Sequence, residues 1–171
     1  MIETDIIDSA LFMAFADLGA VFVGFIAIVL AAVNDDGKLS VVDALRARSI
    51  LHSGLNVIVG GLAPLAANSY GLDVIESLRL AALISFLMGF GLSIEGMIYN
   101  LRMDKADRKK AGYIHGALNW SFVLLSGVLL IAAITGIGNT QGHYILALSL
   151  MIFVAGSNFV MIALQKWLTD T

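Results

Sequence analysis

Cysteine is absent from the chain, which excludes disulfides, thiolate metal sites and a cysteine nucleophile. Proline occurs once, at Pro64, so long helices meet almost no interruption. Charge is scarce, since only 13% of the 171 residues are Asp, Glu, Lys or Arg, against roughly 25% in a soluble domain. That leaves too little polar surface to cover a water-facing globule. A basic excess is also missing: 10 Lys and Arg face 13 Asp and Glu, and the isoelectric point lies near 5.4, which argues against a nucleic-acid partner. The acidic start Met1-Ile2-Glu3-Thr4-Asp5 lacks the basic region of a cleaved signal peptide, so the first apolar segment is expected to remain as an anchor. No spacing of nucleophile, acid and base marks a catalytic constellation. The expectation is that the chain is not an enzyme and carries no cofactor.

What is present is apolar. Hydrophobic residues make up 59% of the chain and the mean hydropathy is +0.91. Five stretches, at 10–33, 49–69, 78–99, 112–137 and 144–164, match the ~20 residues a helix needs to cross a bilayer. Backbone groups in lipid must bond within their own segment, and no alternating β pattern is present, so each stretch is expected to be helical. The predicted fold class is therefore all-α, a single polytopic membrane bundle of five transmembrane helices in a lipid bilayer. The 17 glycines suit helices that approach one another closely.

Basic residues set the orientation. Lys38, Arg46 and Arg48 fall in the first link, Arg102, Lys105, Arg108, Lys109 and Lys110 in the third, and Lys166 in the tail, leaving Arg79 alone on the other side. The predicted topology places the N-terminus outside and the C-terminus in the cytoplasm. Ser40 with Asp43 resembles a capping box and suggests that the second helix starts below the membrane. Asp104 and Arg108, spaced i,i+4, suggest that helix continues into the third link. The opposite side carries Glu3, Asp5, Asp8, Asp17, Asp73 and Glu76, a negative mouth that would concentrate cations or simply the acidic residues left behind by inward sorting of basic ones.

A tandem repeat is visible at an offset of 63 residues. His52-Ser53-Gly54-Leu55-Asn56 recurs as His115-Gly116-Ala117-Leu118-Asn119, and without a gap Glu95 meets Asn158. A duplication of this kind predicts that helices two–three and four–five are parallel copies, with the first helix added outside the pair.

Ionisable and amide groups inside the spans carry the functional reading, because such groups normally face a protein interior or a hydrated cavity. His52, Asn56, Glu95, His115, Asn119 and Asn158 are expected at one depth near the basic side. They form an ion or proton pathway, a metal or haem site, or hydrogen-bonding glue between helices. Asp17 lies in a stripe of small residues, Ala10, Gly24 and Ala31, whose expected role is tight helix packing with Asp17 facing a neighbouring helix. A second small stripe, Gly89, Ser93 and Gly96 with Ser85, is expected to pack while Glu95 points elsewhere. Gly60, Gly61 and Pro64 predict a kink that opens carbonyls to a cavity or only adjusts packing.

The run Ala16-Asp17-Leu18-Gly19-Ala20-Val21-Phe22-Val23-Gly24-Phe25, followed by Leu62-Ala63-Pro64, resembles a family of small bacterial five-helix inner-membrane proteins. The resemblance covers mainly the first two helices. It implies the bacterial cytoplasmic membrane and supplies no activity.

The leading expectation is a homo-oligomer that forms or gates a path for a small cation or proton. A non-conducting scaffold or accessory subunit, and a haem- or metal-binding redox protein, are the alternatives.

Overall fold

A computed structural model describes residues 7–36 and 40–169. Glu3, Asp5 and Lys38 lie outside the described residues, as do the side chains of Arg108, Lys110 and Lys166. The described residues form six helices and no strand: α1 (Ser9–Asp36), α2 (Val41–Ser69), α3 (Val74–Arg102), α4 (Lys105–Ala111), α5 (Tyr113–Thr135) and α6 (Thr140–Thr169). Every one but α4 is long and apolar enough to cross a membrane, so the architecture is that of an all-helical, multi-pass membrane protein.

Capping chemistry explains where the helices begin. Ser40 accepts the Asp43 amide hydrogen at 3.1 Å and starts α2 at Val41, eight residues before the apolar stretch at 49. Arg46 and Arg48 are therefore helical rather than part of a link. Asp8 caps α1 through the Leu11 amide at 3.0 Å, and Asp73 caps α3 through the Glu76 amide at 2.8 Å. Two members of the acidic mouth thus serve as helix caps. The third link does not continue α3: the chain turns at Met103, and Asp104 caps the separate short helix α4 by accepting from the Asp107 amide at 2.7 Å.

The centre of the bundle is α2. Half of its most apolar window is buried, against 17% for α3 and for α5. It packs on α1, α3 and α6, while α5 closes the far side against α3 and α6. Helix α1 thus lies outside the group formed by the other four spans. Large apolar side chains such as Val21, Ile28, Leu87, Leu124 and Phe153 stay exposed around the bundle, as a surface solvated by lipid requires.

Helix α1 meets α2 through a seam other than the seven-residue stripe. A Cβ on Gly19 would lie 2.6 Å from the Gly54 carbonyl oxygen, and one on Gly61 would lie 2.5 Å from the Phe12 carbonyl oxygen. Backbones approach this closely only where side chains are missing. Phe12, Ala16, Gly19 and Val23 follow the 3.6-residue helical period onto α2. Ala10, Asp17, Gly24 and Ala31 are turned away from that seam and are exposed, and a Cβ on Gly24 would meet nothing within 4 Å. Asp17 is exposed on the side of α1 turned away from the seam. The stripe was expected to pack because small residues suit close approach, but the seam uses a different small-residue face.

A Gly54→Leu substitution should cost about 1–3 kcal/mol by overpacking the α1–α2 seam. Gly24→Leu should change the unfolding midpoint of the detergent-solubilised monomer by no more than about 0.5 kcal/mol equivalent. Denaturant titration followed by circular dichroism separates the two.

Candidate functional site: a polar cavity at the basic end

Between the α2, α3, α5 and α6 spans, in the half of the bundle that carries the basic residues, lies a cavity of about 170 Å³. All six residues of the expected polar layer, His52, Asn56, Glu95, His115, Asn119 and Asn158, line it. So do Gly89, Ser93 and Gly96, which places the second small stripe and Glu95 on the same cavity rather than on opposed faces. Asp17 is not among the lining residues.

The lining falls into two clusters. On the α2–α3 side, Arg48 Nη1 donates to Glu95 Oε1 at 2.6 Å, and its guanidinium lies 4.6 Å from the centre of the Tyr99 ring. His52 Nε2 lies 4.0 Å from Glu95 Oε2. Arg48 and Glu95 are 44% and 47% exposed, so their ion pair contributes only about 0.2–1 kcal/mol. Its stronger effect is positional, since it holds the carboxylate next to a histidine at the cavity rim.

On the α5–α6 side a network of amides surrounds His115. Asn158 Nδ2 donates to the Val154 carbonyl at 2.8 Å and to Ser49 Oγ on α2 at 3.1 Å, which turns Asn158 Oδ1 toward His115 Nε2, 3.3 Å away. Asn119 Nδ2 lies 3.2 Å from the same oxygen and 3.0 Å from His115 Nε2, while Asn119 Oδ1 accepts from Ser157 at 2.9 Å. The ring nitrogen has two incompatible partners. As an acceptor it takes the Asn119 hydrogen; as a donor it serves Asn158 Oδ1. Gaining a proton at Nε2 therefore exchanges one hydrogen bond for another without leaving the ring unpaired.

Toward the opposite end the cavity closes on a buried polar layer. Pro64 has no N–H, so the Gly60 carbonyl four residues earlier loses its helical donor. Tyr144 on α6 supplies the replacement, its hydroxyl donating to that carbonyl at 2.7 Å. Ser85 Oγ lies 3.4 Å from the same hydroxyl, and the Ser85 carbonyl accepts from Asn56 Nδ2 at 3.1 Å. That bond orients the Asn56 amide, because only the nitrogen can face a carbonyl. Asn56 Oδ1 is left buried with no hydrogen-bond partner. Beyond this layer lies an apolar core that includes Phe12, Leu78, Ala81, Ala82, Leu130 and Leu148.

Arg48, Tyr99, Ser49, Ser157 and Tyr144 join the site although no motif marks them. Arg48 was within reach of sequence reasoning, since a helix capped at Ser40 puts it one turn before His52. The partner of the freed Gly60 carbonyl had no signal in the sequence. Among the described residues no group of three or more His, Cys, Asp or Glu side chains is placed to hold a metal ion.

No protein-family model, curated protein or solved structure matches the chain.

The two clusters should separate in stability. Asn158→Leu leaves Ser49, Asn119 and His115 without their shared partner and should cost about 1–3 kcal/mol. Glu95→Gln, at an exposed pair, should cost less than about 1 kcal/mol. Unfolding of both variants in mixed micelles by sodium dodecyl sulfate provides the comparison.

Proposed function

We propose that this chain is a homo-oligomeric protein of the bacterial cytoplasmic membrane that gates a path for protons, entered from its basic, cytoplasmic end. The observation that carries the reading is the cavity in which a carboxylate and two histidines line one space with bonded amides. A proton suits this lining better than a metal cation. Among the described lining residues Glu95 is the one carboxylate and Arg48 already neutralises it, while Arg46, paired with Asp43, adds further positive charge at the cavity that would oppose a hydrated cation. Among the described residues no three His, Asp or Glu side chains are grouped to hold a metal ion such as Ca²⁺, which favours several carboxylate ligands. Proton transfer between hydrogen-bonded groups needs neither. In this scheme Glu95 exchanges a proton with His52 at the rim, and His115 exchanges donor and acceptor roles against Asn158 and Asn119 further in.

The tandem repeat belongs to the same reading. His52 with Glu95 and His115 with Asn158 are one residue pair occurring twice, 63 residues apart, and both are in contact or close to it. We read α2–α3 and α5–α6 as parallel copies in which the acid was kept in one and exchanged for a neutral amide in the other. The ring of four spans, with α1 outside it, is the packing such a duplication produces.

Helix α1 supports the oligomer. Asp17 sits two turns inside that helix on an exposed face with Ala10, Gly24 and Ala31. A charged carboxylate costs up to about 2.5–3.5 kcal/mol at the centre of a span on insertion scales, and less nearer its end. Docking this face on a second copy removes Asp17 from lipid and gives the small residues a close-packing partner.

In proteoliposomes with a pH-sensitive dye, Glu95→Gln should lower proton flux by about a hundredfold or more, the range of a lost general acid–base group. Flux equal to that of the unaltered protein would overturn the path, and no flux in either would favour a non-conducting scaffold. Gly24→Ile should shift the oligomer toward monomer in cross-linking while leaving helix content unchanged. An unaltered cross-linking pattern would remove α1 from the interface.

A further inference from the structure

Beyond the cavity, two helices are joined by one hydrogen bond. Tyr144 donates to the Gly60 carbonyl only because Pro64 cannot. The bond therefore joins two different helices where an ordinary helix would have an internal bond. The packing around it is close. A Cβ on Gly60 would lie 2.5 Å from Leu148 Cδ2, 3.1 Å from Ser85 Oγ and 3.2 Å from the Tyr144 hydroxyl. One turn nearer the cavity on α2, the buried acceptor Asn56 Oδ1 has no partner in this closed arrangement. Asn56 also lines the cavity, so water entering from there can bond to that oxygen.

We infer that the Tyr144–Gly60 bond is the barrier of the path, and that its release joins the cavity to the opposite half of the bundle. The barrier has a role in conduction only if the cavity is the proton entry proposed above. On release, the Gly60 carbonyl, the Tyr144 and Ser85 hydroxyls and Asn56 Oδ1 form a continuous set of groups that water can bridge across the layer. Ala81, fully buried in the core beyond, is the next residue on α3 in that direction, one turn from Ser85.

Two substitutions act on the same bond from opposite ends. Tyr144→Phe removes the donor while keeping the ring. Pro64→Ala restores a backbone N–H at residue 64, which competes for the Gly60 carbonyl and displaces the tyrosine. The absence of cysteine makes Ala81→Cys a unique thiol, and the full chain in liposomes can be treated with a water-soluble maleimide. Labelling should be slow in the otherwise unaltered chain. It should rise roughly three- to tenfold with either substitution, the population shift expected when one net hydrogen bond is removed from the closed state. The Leu148→Cys position should give the same order of rates.

Rates that change less than about twofold in both variants overturn the barrier. An increase with Tyr144→Phe alone also overturns it, because loss of ring packing rather than release of the carbonyl would then be the cause. The labelling readout does not depend on conduction. If both substitutions raise labelling while no proteoliposome conducts, the barrier stands and the proton reading falls. If flux depends on Glu95 while labelling is unchanged, the reading stands and this barrier falls.

Discussion

A single missing amide hydrogen shapes the middle of this bundle. Pro64 leaves the Gly60 carbonyl without its helical partner, in a setting where neither lipid nor bulk water can replace it. The chain meets that constraint by bringing Tyr144 from the far end of the sequence to within 2.7 Å. Several other features follow from this docking. Gly60 has no side chain because Leu148, Ser85 and Tyr144 fill the space. Helix α6 is pressed onto α2, and the core around Phe12, Leu78 and Leu148 forms above the junction. Below it the helices part, and the polar cavity occupies the gap.

The two sides of that cavity solve the cost of intramembrane polarity differently. On the α5–α6 side, amides and one histidine satisfy one another, with Asn158 reaching Ser49 to tie α6 to α2. On the α2–α3 side, a carboxylate is held by an arginine that itself lies over a tyrosine ring. The neutral network can be buried because its donors and acceptors nearly balance. The charged one sits at the rim, where about half of each group reaches solvent. Arg46, buried on α2, is compensated instead by its pairing with Asp43.

Much of this was legible in the sequence, and what was not has a physical explanation. Five spans follow from length and hydropathy because lipid admits few alternatives to a helix. The six residues grouped by depth and helical period do line one cavity, since position along an antiparallel helix fixes height in the bundle. Rotation about the helix axis was harder to read. The α1 stripe at seven-residue spacing and the Gly19 and Gly61 seam are both rich in small residues, and composition does not say which one meets α2. The same ambiguity separated Glu95 from Gly89, Ser93 and Gly96 on paper, although a wide cavity accepts both faces of α3. Pro64 announced a freed carbonyl. That Tyr144 would occupy it depends on the α2–α6 contact, a long-range pairing with no local signature.

The position of Tyr144 and Asn158 on α6 also bears on how the chain is made. A ribosome delivers α1 and α2 first, and their glycine seam can close as a hairpin with no other helix present. At that stage the Gly60 carbonyl lacks its tyrosine and Ser49 lacks its asparagine. Both bonds form only after α6 emerges, more than 70 residues after α2 ends. Until then both groups must be satisfied by water or by other partners. Sealing of the bundle therefore waits for α6, which carries both Tyr144 and Asn158.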